Sequence, residues 1–148
     1  MIRQAFRLAT LLRLREHARE QCRRELAESR RKDEELVKQL ARLDAEQLAL
    51  QDAGRRMAGP GEVVVERLQE TASCAATIRA RRTQTQRRRD ELADEIRARL
   101  HALVEADRGV RVLEKLRERQ NDRCRLEEER QQAKQLDEAA LRPQTTVL

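Results

Sequence analysis

The chain has no tryptophan and no tyrosine, and its single aromatic residue is Phe6. Aromatic rings supply much of the buried area of a compact core, so their near absence argues against an ordinary globular domain. Glycine and proline are also scarce: there are four glycines and two prolines in 148 residues. Gly54, Gly59, Pro60 and Gly61 all fall within one short stretch, GRRMAGPGEVVV, and Pro143 lies near the end. Long segments are therefore free of helix breakers. No apolar run approaches the ~20 residues that span a bilayer. Arg7, Arg13 and Arg15 interrupt the apolar positions at the start, so no secretory signal is read there. The three cysteines, Cys22, Cys74 and Cys124, are odd in number, about 50 residues apart and form no CxxC pair. That usage suits a reducing compartment, and the cytoplasm is the expected location.

What remains is charge and helix-forming residues. Charged side chains make up 41% of the chain, a level that in other compositions signals disorder. Here the polar residues are mostly Arg, Glu, Gln and Lys mixed with Ala and Leu, all strong helix formers. Such a mixture reads as coiled coil or long helix. The net charge of +6 permits an acidic partner without requiring nucleic acid.

Helical spacing runs through the first segment, where Leu36, Leu43, Leu50 and Met57 step by seven. A helix is predicted from about residue 4 to 57, followed by a turn at about 58–62, where the breakers cluster. Val63–Val65 has strand-like residues but no second strand to pair with, so it is read as the approach to a second helix. That helix spans about 62–141, with Ile96, Leu103 and Val110 again stepping by seven and a short tail at 142–148. Gly109 costs about 1 kcal/mol relative to alanine inside a helix and marks a candidate flexible point. The predicted fold is all-α: one elongated domain, 1–148, formed by a long antiparallel two-helix coiled-coil hairpin.

A tip at Pro60 places residue i opposite about 120 − i. Leu50 then falls near Leu68, Leu43 near Ile78, Leu26 between Leu92 and Ile96, and Leu8 near Leu113. Arg81–Arg89, which holds five arginines and no acid, falls opposite a stretch containing Asp33, Glu34 and Glu35. Helix one runs out opposite Leu116. Beyond it lie roughly 25 residues, about 37 Å at 1.5 Å per residue, with no partner in the chain. This C-terminal helical overhang carries EKLRERQNDRCRLEEERQQAKQLDEAA, in which seven basic and eight acidic residues nearly cancel. A lone helix of that length is marginal in water, so it frays or binds a partner.

The residues supply no catalytic constellation. His17 and His101 fall at similar levels of the predicted hairpin, but two histidines fall short of a zinc ligand set and read as surface residues. The cysteines read as small apolar side chains. GPG lacks the GxxxxGK[ST] pattern and the preceding strand of a phosphate loop. No cofactor is expected, and the chain is read as a non-enzyme. The arginine-rich stretches suit phosphate backbones electrostatically, but no aromatic lies among them to stack on bases. A basic nucleic-acid-binding coiled coil and a self-associating structural coiled coil are the alternatives outside secretion.

The two ends of the chain resemble one family. FRLATLLRLRE (Phe6 to Glu16) is similar to the opening of FliJ-family proteins of the flagellar type III export apparatus. VLEKLRER (Val112 to Arg119) and KQLDEAA (Lys134 to Ala140) resemble that family's closing signature, while Cys124 departs from the aromatic that relatives often carry. The resemblance implies a stalk that sits in the hexameric export ATPase ring and promotes its assembly and activity. It also implies coupling to the cytoplasmic domain of the membrane export gate, binding of export chaperones, and a peripheral place at the inner membrane. An injectisome stalk is the close variant. Carried over residue by residue, ring docking falls to Phe6, Leu8, Leu12 and Arg15 with Leu113, Leu116, Arg117 and Arg119. Lys134, Asp137 and Glu138 of the overhang join them. Gate or chaperone contact falls to Leu68 and Ile78.

Overall fold

A computed structural model describes the backbone of residues 2–59, 61 and 64–143, and side chains from residue 8 onward. Two helices account for almost all of it: α1, Ile2–Met57, and α2, Val65–Leu141. They pack against each other antiparallel, and no strand occurs among the described residues. The described chain divides into two compact units, one formed by 1–20 with 104–148 and the other by 21–103.

The helix ends follow local chemistry. Arg55 and Arg56 sit in the last turn of α1, where cations favour the carbonyl end of the helix dipole. The amide of Ala58 still donates to the Gly54 carbonyl at 3.0 Å, and Gly59 then closes the turn onto Arg56 at 3.5 Å. Val64 opens α2, its carbonyl accepting from the amides of Arg67 and Leu68 at 3.1 and 3.3 Å. The described helix α2 begins at Val65, and the expected start near residue 62 lies outside the described residues. At the far end Arg142 donates to Glu138 at 3.2 Å, and Pro143, which disfavours helix in the residue before it, follows.

The buried and half-buried positions of α1 follow a heptad from Leu8 to Gly54, and those of α2 follow one from Thr71 to Cys124. Within each unit, ion pairs fix which positions face each other. In unit 21–103, Asp44 pairs with Arg82 at 2.9 Å, Asp33 with Arg89 at 3.0 Å, and Glu25 with Arg99 at 3.1 Å. In the other unit Arg19 pairs with Asp107 at 3.3 Å, and the Arg15 stem lies 3.7 Å from where a Gly109 Cβ would sit. Residue i therefore lies opposite about 124 − i, not 120 − i. Leu50 faces the level of Ala75 rather than Leu68, Leu43 that of Arg82 rather than Ile78, and Leu26 a level between Ile96 and Arg99 rather than one between Leu92 and Ile96. Ion pairs cross the seam at the arginine-rich level in this alignment.

The cores are thin. In unit 1–20/104–148, Leu12, Val110 and Leu113 form a buried cluster on which Leu8 packs, as expected for Leu8 and Leu113. In unit 21–103 the buried residues are Leu26, Leu43, Ile78 and Leu92 together with Ser29 and Thr85. Thr85 enters that seam because its hydroxyl donates to the Arg81 carbonyl at 2.8 Å, one helical turn back. Gly109 stays helical, and its missing side chain leaves room for Arg15 rather than forming a break.

Candidate docking surface

The residues assigned to docking from sequence separate by burial. Leu12 and Leu113 are buried and hold α1 to α2, with Leu8 half-buried against them. Arg15 is exposed, its aliphatic stem laid along α2 beside Gly109. Leu116, Arg117 and Arg119 are exposed on α2, as are Lys134, Asp137 and Glu138 further on. The Phe6 side chain lies outside the described residues.

The unpartnered part of α2 begins later than expected. Gln120 and Cys124 are still half-buried, and every residue from 125 to 143 is exposed. The corrected register explains the difference. The four-residue shift, with α1 starting at Ile2, carries the start of α1 to a level near residue 122, so the overhang to Leu141 is about 19 residues, or roughly 28 Å. Leu126, Leu136 and Leu141 stand 50%, 71% and 82% exposed on it. Leu126, Ala133, Leu136 and Ala140 share one helical face at spacings of seven, three and four. That stripe was missed in the sequence because the search followed the intrachain seam, which passes through other positions. Arg125 pairs with Asp122 at 3.5 Å, both well exposed, so the overhang adds only weak, screened contacts of its own.

The two positions read as gate or chaperone contacts also differ. Ile78 is buried in the seam, whereas Leu68 is partly exposed. Leu68 lines a shallow groove with Leu50, Gly54, Thr71, Ala72 and Ala75, and Thr71 Cγ2 lies 4.0 Å from where a Gly54 Cβ would sit.

Arg99 donates to Glu95 at 2.7 Å and pairs with Glu25. The hydrogen bond to Glu95, opposed by a burial cost and helped by the charges of Glu95, Glu25 and Glu28, raises its already high pKa further. His17 and His101 are both exposed and fall in different units. No group of three or more metal-ligating side chains gathers among the described residues. No described helix is long and apolar enough to cross a membrane. In the arginine-rich stretch, Arg82 and Arg89 are committed to Asp44 and Asp33, while Arg81, Arg87 and Arg88 make no ion pair among the described residues.

What the molecule offers, then, is a helix pair with a charged exterior and an exposed helical extension that carries a sparse apolar stripe. The family model described as "Flagellar FliJ protein" matches residues 4–144. The chain belongs to the FliJ family. No curated protein and no solved structure matches it. Membership of the FliJ family gives the chain a stalk-related role in flagellar type III export and agrees with the all-helical coiled-coil fold. The match begins at residue 4 and runs through the overhang, so the exposed extension belongs to the family pattern and is not an appendage to it.

Proposed function

We propose that the chain is the central stalk of the flagellar export ATPase: it docks in the ring, promotes its assembly and hydrolysis, couples it to the membrane export gate and binds export chaperones. The observation that carries this reading is the run from 125 to 143, exposed at every position and helical to Leu141 as the end of α2, inside the region matched by the FliJ model. A helix of that size without a partner is marginal in water, and its one apolar stripe among balanced charges suits a reversible contact with a surface that encloses it. Leu116, Arg117, Arg119, Lys134, Asp137 and Glu138 are the exposed candidates for ring contact. Leu8, Leu12 and Leu113 set the geometry from which the overhang projects. Leu68, exposed in its groove, is the better placed of the two gate candidates, because Ile78 is occupied in the seam.

The matching family is the flagellar one, which favours that system over an injectisome. Two of the five arginines of Arg81–Arg89 are engaged within the chain, which weakens the nucleic-acid reading. The test is titration of the purified chain into the export ATPase under conditions that permit hexamers. Hydrolysis and hexamer formation rise together if the reading is right, and an unchanged rate with unchanged assembly refutes it.

A further inference from the structure

Through the middle of unit 21–103, the seam pairs apolar residues with polar ones at every level. In the observed register Leu26 lies opposite Arg99, Leu36 opposite Arg89, Leu40 opposite Thr85 and Leu43 opposite Arg82. From the other helix, Ile96 lies opposite Ser29, Leu92 opposite Asp33 and Ile78 opposite Gln47. Leu26 and Leu43 are buried at these levels, where long arginine side chains can lay their aliphatic stems along apolar surface, and Leu26 also shares a groove with Leu103.

A heptad seam tolerates one kind of error silently. Sliding one helix by seven residues returns every seam position to the seam. Here that slide, roughly 10 Å in total, sorts most of the residues by kind, Leu36 excepted, which exchanges Arg89 for Arg82. Leu26 meets Leu92, Leu40 meets Ile78, Leu43 meets Ala75 and Leu50 meets Leu68, while Ser29 and Asp33 meet Arg89 and Thr85. The ion pairs oppose the slide. The places held by Arg99, Arg82 and Asp107 pass to Leu92, Ala75 and Leu100, so Glu25, Asp44 and Arg19 lose their partners. Only Asp33 keeps an arginine, exchanging Arg89 for Arg82.

The chain between the helices is built for both arrangements. The slide moves the tip toward the N-terminus by three to four residues, and Gly54 already stands in the last turn of α1, where that helix would then end. At the other side Val64 and Val65 are exposed, and Leu68 is partly so. The slide brings Val64 opposite Gly54 and Leu68 opposite Leu50.

We propose that the helix pair has a second register one heptad away, and that Glu25–Arg99, Asp44–Arg82 and Arg19–Asp107 select the observed one. A partner that competes for these charges slides α1 along α2 and changes the length of the overhang. Packed helix interfaces are known to jump between discrete arrangements by one turn, and the slide here is about two turns. The proposal stands on the seam alone and not on the export role.

Cysteine pairs read the register directly, because a disulfide forms only when two Cα atoms come within about 7 Å. In a Cys22→Ala, Cys74→Ser, Cys124→Ser background, Leu40→Cys with Thr85→Cys reports the observed register, and Leu40→Cys with Ile78→Cys reports the second. The first pair crosslinks in the parent. Adding Glu25→Gln and Asp44→Asn raises the 40/78 to 40/85 crosslinking ratio by about tenfold, and 1 M salt, which shortens the screening length to about 3 Å, moves the parent the same way. Circular dichroism on the same samples follows helix content. Crosslinking confined to 40/85 in the neutralised variant overturns the proposal. So does loss of helix with neither crosslink, since the second register is the one with apolar pairing to hold it.

Discussion

Leu113 and Leu136 are the same residue type on the same helix, 9% and 71% exposed. Truncating each to alanine separates the held part of α2 from the projecting part. Leu113 loses about three buried methylene equivalents at roughly 0.8 kcal/mol each, and the open-sided cluster of Leu12, Val110 and Leu8 relaxes over part of the void. The expected cost is about 2–3 kcal/mol, the low end for core leucines. At about 2–4 °C per kcal/mol for a chain of this size, the midpoint falls by about 5–10 °C. Leu136→Ala removes a side chain that is already in water and installs the best helix former, so its effect stays within about 0.5 kcal/mol. Thermal and urea unfolding followed by circular dichroism measures both. The two effects reverse in the ATPase assay, where Leu136→Ala lowers stimulation at unchanged stability. Equal destabilisation by the two substitutions refutes the reasoning, because it requires Leu136 to be packed in the isolated chain.

Further expectations follow from single positions. Gly109→Ala stabilises the chain by up to about 1 kcal/mol, since the added Cβ meets the Arg15 stem at 3.7 Å, an ordinary contact; a drop in the melting midpoint means the glycine is needed as a break. Ile78→Ala costs about 2–3 kcal/mol of stability, whereas Leu68→Ala changes stability by less than about 1 kcal/mol and weakens pull-down of the export-gate cytoplasmic domain. If Leu68→Ala leaves that pull-down intact, the groove is not the gate contact. Asp33→Asn, which removes a half-exposed partner of Arg89, costs about 0.5 kcal/mol in low salt and nothing measurable in 1 M salt; a salt-independent loss points to a steric role instead.

Much of the fold was legible because helix propensity and breakers act locally. Met57 and Leu141 end the helices where the composition indicated, and the breakers from Gly54 to Gly61 mark the reversal. The register was not legible from apolar residues, and the reason is specific. Matching Leu50 with Leu68 and Leu43 with Ile78 gave a self-consistent hairpin, because apolar residues recur every three or four positions on each helix and a displacement of about four residues still brings many of them together. The observed register is marked by Asp44–Arg82, Glu25–Arg99 and Arg19–Asp107, pairs that sequence alone does not distinguish among so many charges. Burial of Ser29 and Thr85 was equally hidden, since short hydroxyl residues enter a seam only when a backbone carbonyl or a facing side chain accommodates them. Among the docking candidates, burial divides residues that the terminal motifs had grouped: Leu12 and Leu113 hold the helices together, while Leu116, Arg117 and Arg119 face outward. Motifs record which residues recur together and not which side of the helix they serve.

The stalk reading depends most on what lies beyond Cys124, the last half-buried residue. A chain ending at Cys124 should keep the melting midpoint of the full chain within about 2 °C, because the removed residues contribute almost no burial. The same truncated chain should fail to stimulate the export ATPase at concentrations where the full chain saturates it. Full stimulation by the truncated chain contradicts the proposed docking, and a collapse of its helix content contradicts the description of 125–143 as an unpartnered extension.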